Sequence, residues 1–418
     1  MHRLLKGKSF NPNPSQQKVN IIGSGIVGLI LAYYLNKQGY EVKIYDRCPD
    51  PLDNSNFDFS PISTSYGGRD ARHISATETL PQAIYSRKDI LKRSPKEGGW
   101  LLLEQLNSIE QNWVNDFKKN SLNLELQKTN TDFIIKLNKV AIKLWQNPEF
   151  GIDKFLAQAL IGDKILKIYF DESVRADDLK LQQLAFLNKA EITQLEREQI
   201  LEKFPWLKEQ GIIKGIEVPG WSLNLHVFLE NLKKYLKESG IKIHFNQEIK
   251  DPDLLKGLTI NTSSYSDRIQ GSIGCWLTLP NDIGLKEGFK IHEKDPLGAL
   301  NITPSFDRKE FYFAGGFGFI GNQTPNMKDK KVQELFSLLK KAAKNYFPQQ
   351  YKIAESNNNL QEKYCIRPMT TDGLPFIEVL TDSYIHVGGT NCGGLVQAPI
   401  LAALTFDLLT YGFFKSFN

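Results

Sequence analysis

At 418 residues the chain exceeds one ordinary core and predicts two domains that can interleave. Hydrophobic residues at 41% and charged residues at 24% are ordinary for a globular protein. A net charge of +5, from 52 basic against 47 acidic residues with no long run of one sign, argues against a nucleic-acid surface, which gathers its charge on one face.

Residues 1–17 are polar, contain Pro12 and Pro14, and read as a disordered arm rather than a secretory leader. No stretch approaches the ~18 uninterrupted apolar residues of a membrane span, which leaves peripheral membrane contact open. Cys48, Cys275, Cys365 and Cys392 lie far apart without a CxxC pair. Neither a disulfide framework nor a zinc site is therefore expected, and a reducing, cytoplasmic setting fits. His226, His244, His292 and His386 show no metal-ligand spacing and read as structural.

Lys18–Ile22 is a β-branched strand candidate. It runs into Gly23-Ser24-Gly25-Ile26-Val27-Gly28, an apolar helix from Leu29 to Lys37, and an alternating strand Glu41–Tyr45 that ends at Asp46. Strand, glycine turn, helix, strand and acid make up a dinucleotide-binding unit. Gly23 permits the tight turn, Gly25 lets the backbone approach a pyrophosphate, and Gly28 lets helix and strand pack. Free N–H groups along Ser24, Ile26 and Val27 would hold the phosphates, and Asp46 would accept from a ribose hydroxyl. The acid disfavours a 2′-phosphate, hence NADP, although Arg47 beside it weakens that exclusion. A second GxGxxG, Gly316–Gly321, is followed by Asn322–Pro325, which blocks a helix. It reads as a glycine-rich strand end.

Near the other terminus, Thr381–Val387 reads as a strand running into Gly388–Gly394 and an apolar helix Leu395–Leu409. Pro399 must sit in its first turn or kink it. The glycine loop predicts either a second anion-binding helix start or an ordinary strand–helix connection. Upstream, Pro368 and the Asp372-Gly373 turn would fix the segment carrying Arg367, which favours a ligand role for that arginine.

The segments GSGIVGLILAYYLNKQGYEVKIYD, RPMTTDGLP and HVGGTNCGGLVQAPILAALTFDLL together resemble the D-amino-acid oxidase family of FAD enzymes, which includes glycine oxidase, sarcosine oxidase and D-amino-acid dehydrogenase. The resemblance implies an α/β fold: a Rossmann-type FAD-binding domain interleaved with a smaller α+β substrate domain on an antiparallel sheet. Residues 18–100, 220–270 and 366–418 are expected to form the first, and residues 101–219 and 271–365 the second. FAD would be held by Gly23, Ser24, Gly25, Ile26, Val27, Gly28, Asp46, Arg47 and Ile249, and by Gly389, Thr390, Asn391, Gly393, Gly394 and Leu395 at its flavin end. Arg367 falls where such relatives pair a substrate carboxylate. Cys365 falls where sarcosine oxidases attach flavin covalently, but non-covalent FAD is the favoured reading. NTSS at 261–264 lacks the glycine that many relatives carry there.

The loop corresponding to Ser65–Glu78 runs beneath the flavin in these relatives. Gly68 and Arg69 would then join the cofactor set, and Arg72 and His73 the catalytic one. Surface ion pairing with Asp70 and Glu78 is the alternative. The activity implied is oxidation of the C–N bond of an amino acid or N-substituted amino acid to an imine that hydrolyses, with oxygen, a quinone or another carrier accepting the electrons. Oxidative trimming of a carboxymethylamino group on tRNA, or a flavin-binding electron-transfer subunit without its own substrate, are the rival readings. A flavin monooxygenase is disfavoured by Gly388-Gly389-Thr390, where those enzymes usually carry Gly-Asp.

Overall fold

The computed structural model describes residues 2–13, 15–53, 72–85, 89–186, 191–207, 211–212, 214–263, 266–293 and 295–415. Gly68 and Arg69 lie outside them. In chain order the strands among the described residues are β1 (Leu5–Gly7), β2 (Lys18–Ile22), β3 (Glu41–Tyr45), β4 (His73–Ile74), β5 (Leu160–Tyr169), β6 (Thr193–Glu196), β7 (Lys214–Leu223) and β8 (Lys242–His244). They continue as β9 (Leu258–Asn261), β10 (Gln270–Pro280), β11 (Phe289–His292), β12 (Ala299–Pro304), β13 (Glu310–Gly321), β14 (Glu362–Met369), β15 (Phe376–Thr381) and β16 (Tyr384–Gly388).

Two sheets result. The first has the order β1-β15-β16-β9-β2-β3-β8 and is parallel except at the β15–β16 hairpin. A parallel sheet has to be covered on both faces, and the helix Ile26–Lys37 is accordingly apolar nearly all round and mostly buried. The C-terminal helix Gly394–Tyr411 packs against it and against the helix Leu124–Trp145. By length and composition that C-terminal helix could cross a bilayer, but most of it is buried inside the fold. The second sheet, β14-β10-β13-β12-β11-β5-β7-β4 with β6 beside β7, is antiparallel except between β11 and β5. Gly316–Gly321 lies wholly within β13, as its turn-rich sequel implies.

Three expectations about chain organisation need correction. The first 17 residues are not a free arm: β1 extends the parallel sheet beside β15, and Leu4 and Phe10 are buried. Those two apolar side chains outweigh the polar composition around them. The helix Leu124–Trp145, assigned to the substrate part, buries Ile134, Leu137, Ala141 and Trp145 in the same core as the helix Ile26–Lys37. A boundary at 366 would also divide β14, which pairs along its length with β10 in the antiparallel sheet.

Candidate active site

The β2 turn is built by close backbone contacts. Gly23 has φ +101°, its N–H donates to the Tyr45 carbonyl at 2.8 Å, and a Cβ on Gly28 would lie 2.1 Å from the Gly23 oxygen. Thr262 closes the crossing by donating to the Ile22 and Gly23 carbonyls at 3.0 and 3.1 Å, so the segment without the family glycine still follows β2. Asp46 pins the turn: one oxygen accepts from the Ser24 N–H and Oγ, both at 2.7 Å, and the other from the Cys48 N–H at 2.8 Å. A carboxylate has about four acceptor positions, so one remains for a ligand hydroxyl.

The helix Ile26–Lys37 starts at Gly25 with no side-chain cap and no acid in its first turn. The C-terminal helix starts at Gly393 in the same condition. Uncapped helix starts present free N–H groups and a partial positive charge. Both open into one cavity of about 1310 Å³, whose lining includes Gly23, Gly25 and Ile26 from the first start and Gly389, Asn391 and Leu395 from the second. That volume exceeds the roughly 300–1,000 Å³ of an ordinary ligand pocket. A Cβ on Gly25 would meet nothing within 4 Å, so the backbone there is open to an incoming group.

The second loop is locked by its own polar groups. Asn391 adopts a left-handed conformation (φ +54°), which asparagine tolerates. Its amide donates to the Gly389 carbonyl at 2.8 Å and accepts from the Thr370 N–H at 2.9 Å, while its backbone N–H donates to Pro368. The glycine loop is thereby tied to the segment that follows Arg367. The single strand expected over Thr381–Val387 is instead the second half of the β15–β16 hairpin, turning at Asp382 and Ser383.

Arg367 lies across the antiparallel sheet. Its Nη1 donates to the carbonyls of Gly316 (2.6 Å) and Ile273 (3.1 Å), and its guanidinium sits 4.4 Å from the Phe317 ring centre. Trp100 stacks on Phe317 at 4.5 Å. A Cβ on Gly274 would fall 2.1 Å from Nη2, so only glycine leaves room for this placement. Among the described residues no carboxylate comes within ion-pair distance of Arg367. A fixed guanidinium without a carboxylate of its own is suited to a ligand carboxylate.

The cavity also receives Asp46, Arg47, Arg72, His73, Ile249 and Cys365. Ser24, Gly28 and Gly393 do not line it. Ser24 holds Asp46, Gly28 packs on the turn, and Gly393 abuts Gln397 and Thr79. Glu78 binds Lys290 at 2.6 Å.

A polar end of the cavity was not foreseen. Lys167 and Lys290 are neighbours on β5 and β11 and both are buried. Lys167 pairs with Asp178 at 3.0 Å, and Tyr169 donates to the same carboxylate. Burial works against the ionised form of Asp178, but Lys167 and the neighbouring hydrogen bonds hold its pKa well below the usual carboxylate range. Burial, reinforced by Lys290 and Lys167, keeps His73 neutral, and neither ring nitrogen has a hydrogen-bond partner. Burial is also the main cause that pushes His292 down to about 3, against the pull of Asp178.

These histidines make stability pH-dependent. In the unfolded chain they protonate near pH ~6.5. Below that pH the unfolded state binds protons that the folded state refuses, so their contribution is complete above pH ~6.5 and is lost as the pH falls toward the folded values. The Tm should therefore drop from about pH 7 to about pH 4.5, and H292Q should drop less. A wild-type Tm that stays level across that range contradicts buried neutral histidines.

Two uncapped helix starts over a parallel sheet, sharing one cavity with an antiparallel sheet, define a two-domain dinucleotide-type flavoprotein fold. The family described as FAD dependent oxidoreductase, DAO, matches residues 18–408. D-amino acid dehydrogenase of Neisseria meningitidis serogroup C is 23% identical over 270 residues, covering 62% of this chain and 61% of that protein, so the match spans less than two thirds of that relative. Glycine oxidase from Bacillus cereus ATCC 14579 superposes with a TM-score of 0.59 at 12% identity, over 94% of this chain and 95% of that one. L-alpha-glycerophosphate oxidase from Mycoplasma pneumoniae, solved reduced with FAD bound, superposes with a TM-score of 0.61 at 16% identity over 96% of each chain. The chain belongs to the DAO family of FAD-dependent oxidoreductases, and FAD is its cofactor.

Proposed function

We propose that the protein oxidises the C–N bond of an amino acid or N-substituted amino acid to an imine, which water then converts to an oxo acid or aldehyde. The observation that carries this reading is Arg367, a fixed guanidinium in the same cavity as the uncapped helix starts. A substrate carboxylate paired there would be oriented within the cavity, and orientation is a large part of such catalysis. The bound FAD supplies the two-electron acceptor. Gly23, Gly25, Ile26, Val27, Asp46 and Arg47 would hold its nucleotide half, with Ser24 and Gly28 shaping the turn. Gly389, Thr390, Asn391, Gly394 and Leu395 would face its flavin half, where a helix start stabilises negative charge. Arg72, His73 and Ile249 complete the lining. An electron-transfer subunit has no need of such a carboxylate anchor, which favours an enzyme with its own substrate. Four free cysteines suit a reducing cytoplasmic location, with oxygen or a quinone-type carrier as the final acceptor.

Anaerobic mixing of the yellow protein with D-amino acids, glycine, N-methyl amino acids and aminophosphonates tests the reading. At least one carboxylate-bearing amine should bleach the flavin. Bleaching by dithionite but by none of these amines contradicts it.

A further inference from the structure

The sheet face that carries Arg367 also carries a second set of ligand-ready groups. Strand register places Trp276, Ala314, Asn301, Lys290 and Lys167 in one row across β10, β13, β12, β11 and β5, and all five line the cavity. We propose that Asn301 and Lys290 form a subsite for an uncharged hydrogen-bonding group, a primary amide or a hydroxyl, at the far end of the substrate's chain. This rests on the amino-acid reading above.

Reach comes first. The Arg367 guanidinium is tethered to Gly316 on β13. Asn301 pairs with Ala314, so it sits one strand over and two residues along, a diagonal of roughly 8 Å. A five-carbon amino acid spans that gap from its carboxylate to its terminal group. The residues between, Ala314 and Trp276, suit a methylene spacer.

Charge decides what the far group is. Lys290 is matched by Glu78 and Lys167 by Asp178. Both ring nitrogens of His73 and the Nε2 of His292 are buried without hydrogen bonds. Two cations against two anions leave no net charge to attract a carboxylate. Asn301 offers both a donor and an acceptor. Its amide lies beside the His73 ring, and Lys290 spends one of its three N–H donors on Glu78. Groups that both donate and accept, amides and hydroxyls, fit this pattern better than a methyl or a carboxylate.

The test uses the FAD-loaded enzyme and records, anaerobically, the half-saturating concentration for the flavin absorbance change. Glutamine, glutamate and norvaline are compared in both configurations. In one configuration glutamine should half-saturate at about a tenfold lower concentration than either of the others. N301A should abolish that advantage over norvaline, and K290M should reduce it. Equal responses, or an advantage that survives N301A, overturn the subsite. Tightest response to glutamate makes this end an anion site, and tightest response to norvaline makes it an apolar one. Both outcomes overturn the assignment. An N301A spectrum altered before any ligand is added places the amide against the cofactor and also overturns it. Silence toward all six, with dithionite still bleaching the flavin, overturns the subsite; the amino-acid reading falls only if glycine, the N-methyl amino acids and the other amines of the wider panel are silent as well.

Discussion

Arg367→Ala should lower kcat/KM for a carboxylate-bearing amine by roughly 30-fold to several thousandfold, the equivalent of about 2–5 kcal/mol of lost charge pairing. The loss should fall on substrate and leave FAD binding intact, because the side chain's fixed contacts are with Gly316, Ile273 and Phe317 on the antiparallel sheet. Arg367→Lys keeps the charge but loses the planar fork, so it should recover only part of the activity. Gly274→Ala should reproduce part of the defect, since its methyl would occupy the position of Nη2. Unchanged steady-state kinetics in Arg367→Ala would remove this residue from the site.

A contrast between two glycines should give the other large effect. Gly25 has φ −65°, a conformation open to any residue, and a Cβ there meets no protein atom within 4 Å. Gly25→Val should fold with a Tm close to that of the cofactor-free wild type, yet bind FAD at least ~100-fold more weakly, because the added methyls fill the space where a pyrophosphate must approach the helix start. In Gly28→Val the new Cβ would lie 2.1 Å from the Gly23 oxygen and 2.8 Å from Thr262 Oγ1, which the turn can relieve only by moving. That variant should lose about 1–3 kcal/mol or more of stability, and cofactor binding with it. Calorimetry of the cofactor-free proteins, paired with FAD titration, separates exclusion from misfolding. Equal FAD affinity in Gly25→Val and wild type would contradict a phosphate site at Gly25.

How much of this was legible before the fold was known depends on how local each signal is. The β2 turn could be read because its glycines, flanking strands and terminal acid fall within 29 residues, Lys18 to Asp46, and each has a separate steric or electrostatic reason. Arg367 was legible through the proline and glycine that stiffen its segment. That it would lie in the antiparallel sheet, pressed against Gly274 and Gly316, was not, since strand pairing joins residues about 50 to 95 positions apart. Thr262 was hidden for the same reason. Lys167, Lys290, Glu78 and Asp178 were harder still: each looks like an ordinary surface charge in sequence, and only the β5–β11 register, the helix Glu172–Ala185 and the turn after β4 bring them together. The N-terminal residues were misjudged because two buried side chains, Leu4 and Phe10, sufficed to dock them.

We propose that one FAD spans the two glycine-opened helix starts. Flavin released from the purified protein by urea, separated chromatographically and quantified per chain, tests it most directly. One equivalent of FAD with no FMN is expected, all of it leaving the polypeptide, with little or none in Gly25→Val. FMN in place of FAD, or full loading of Gly25→Val, would contradict it.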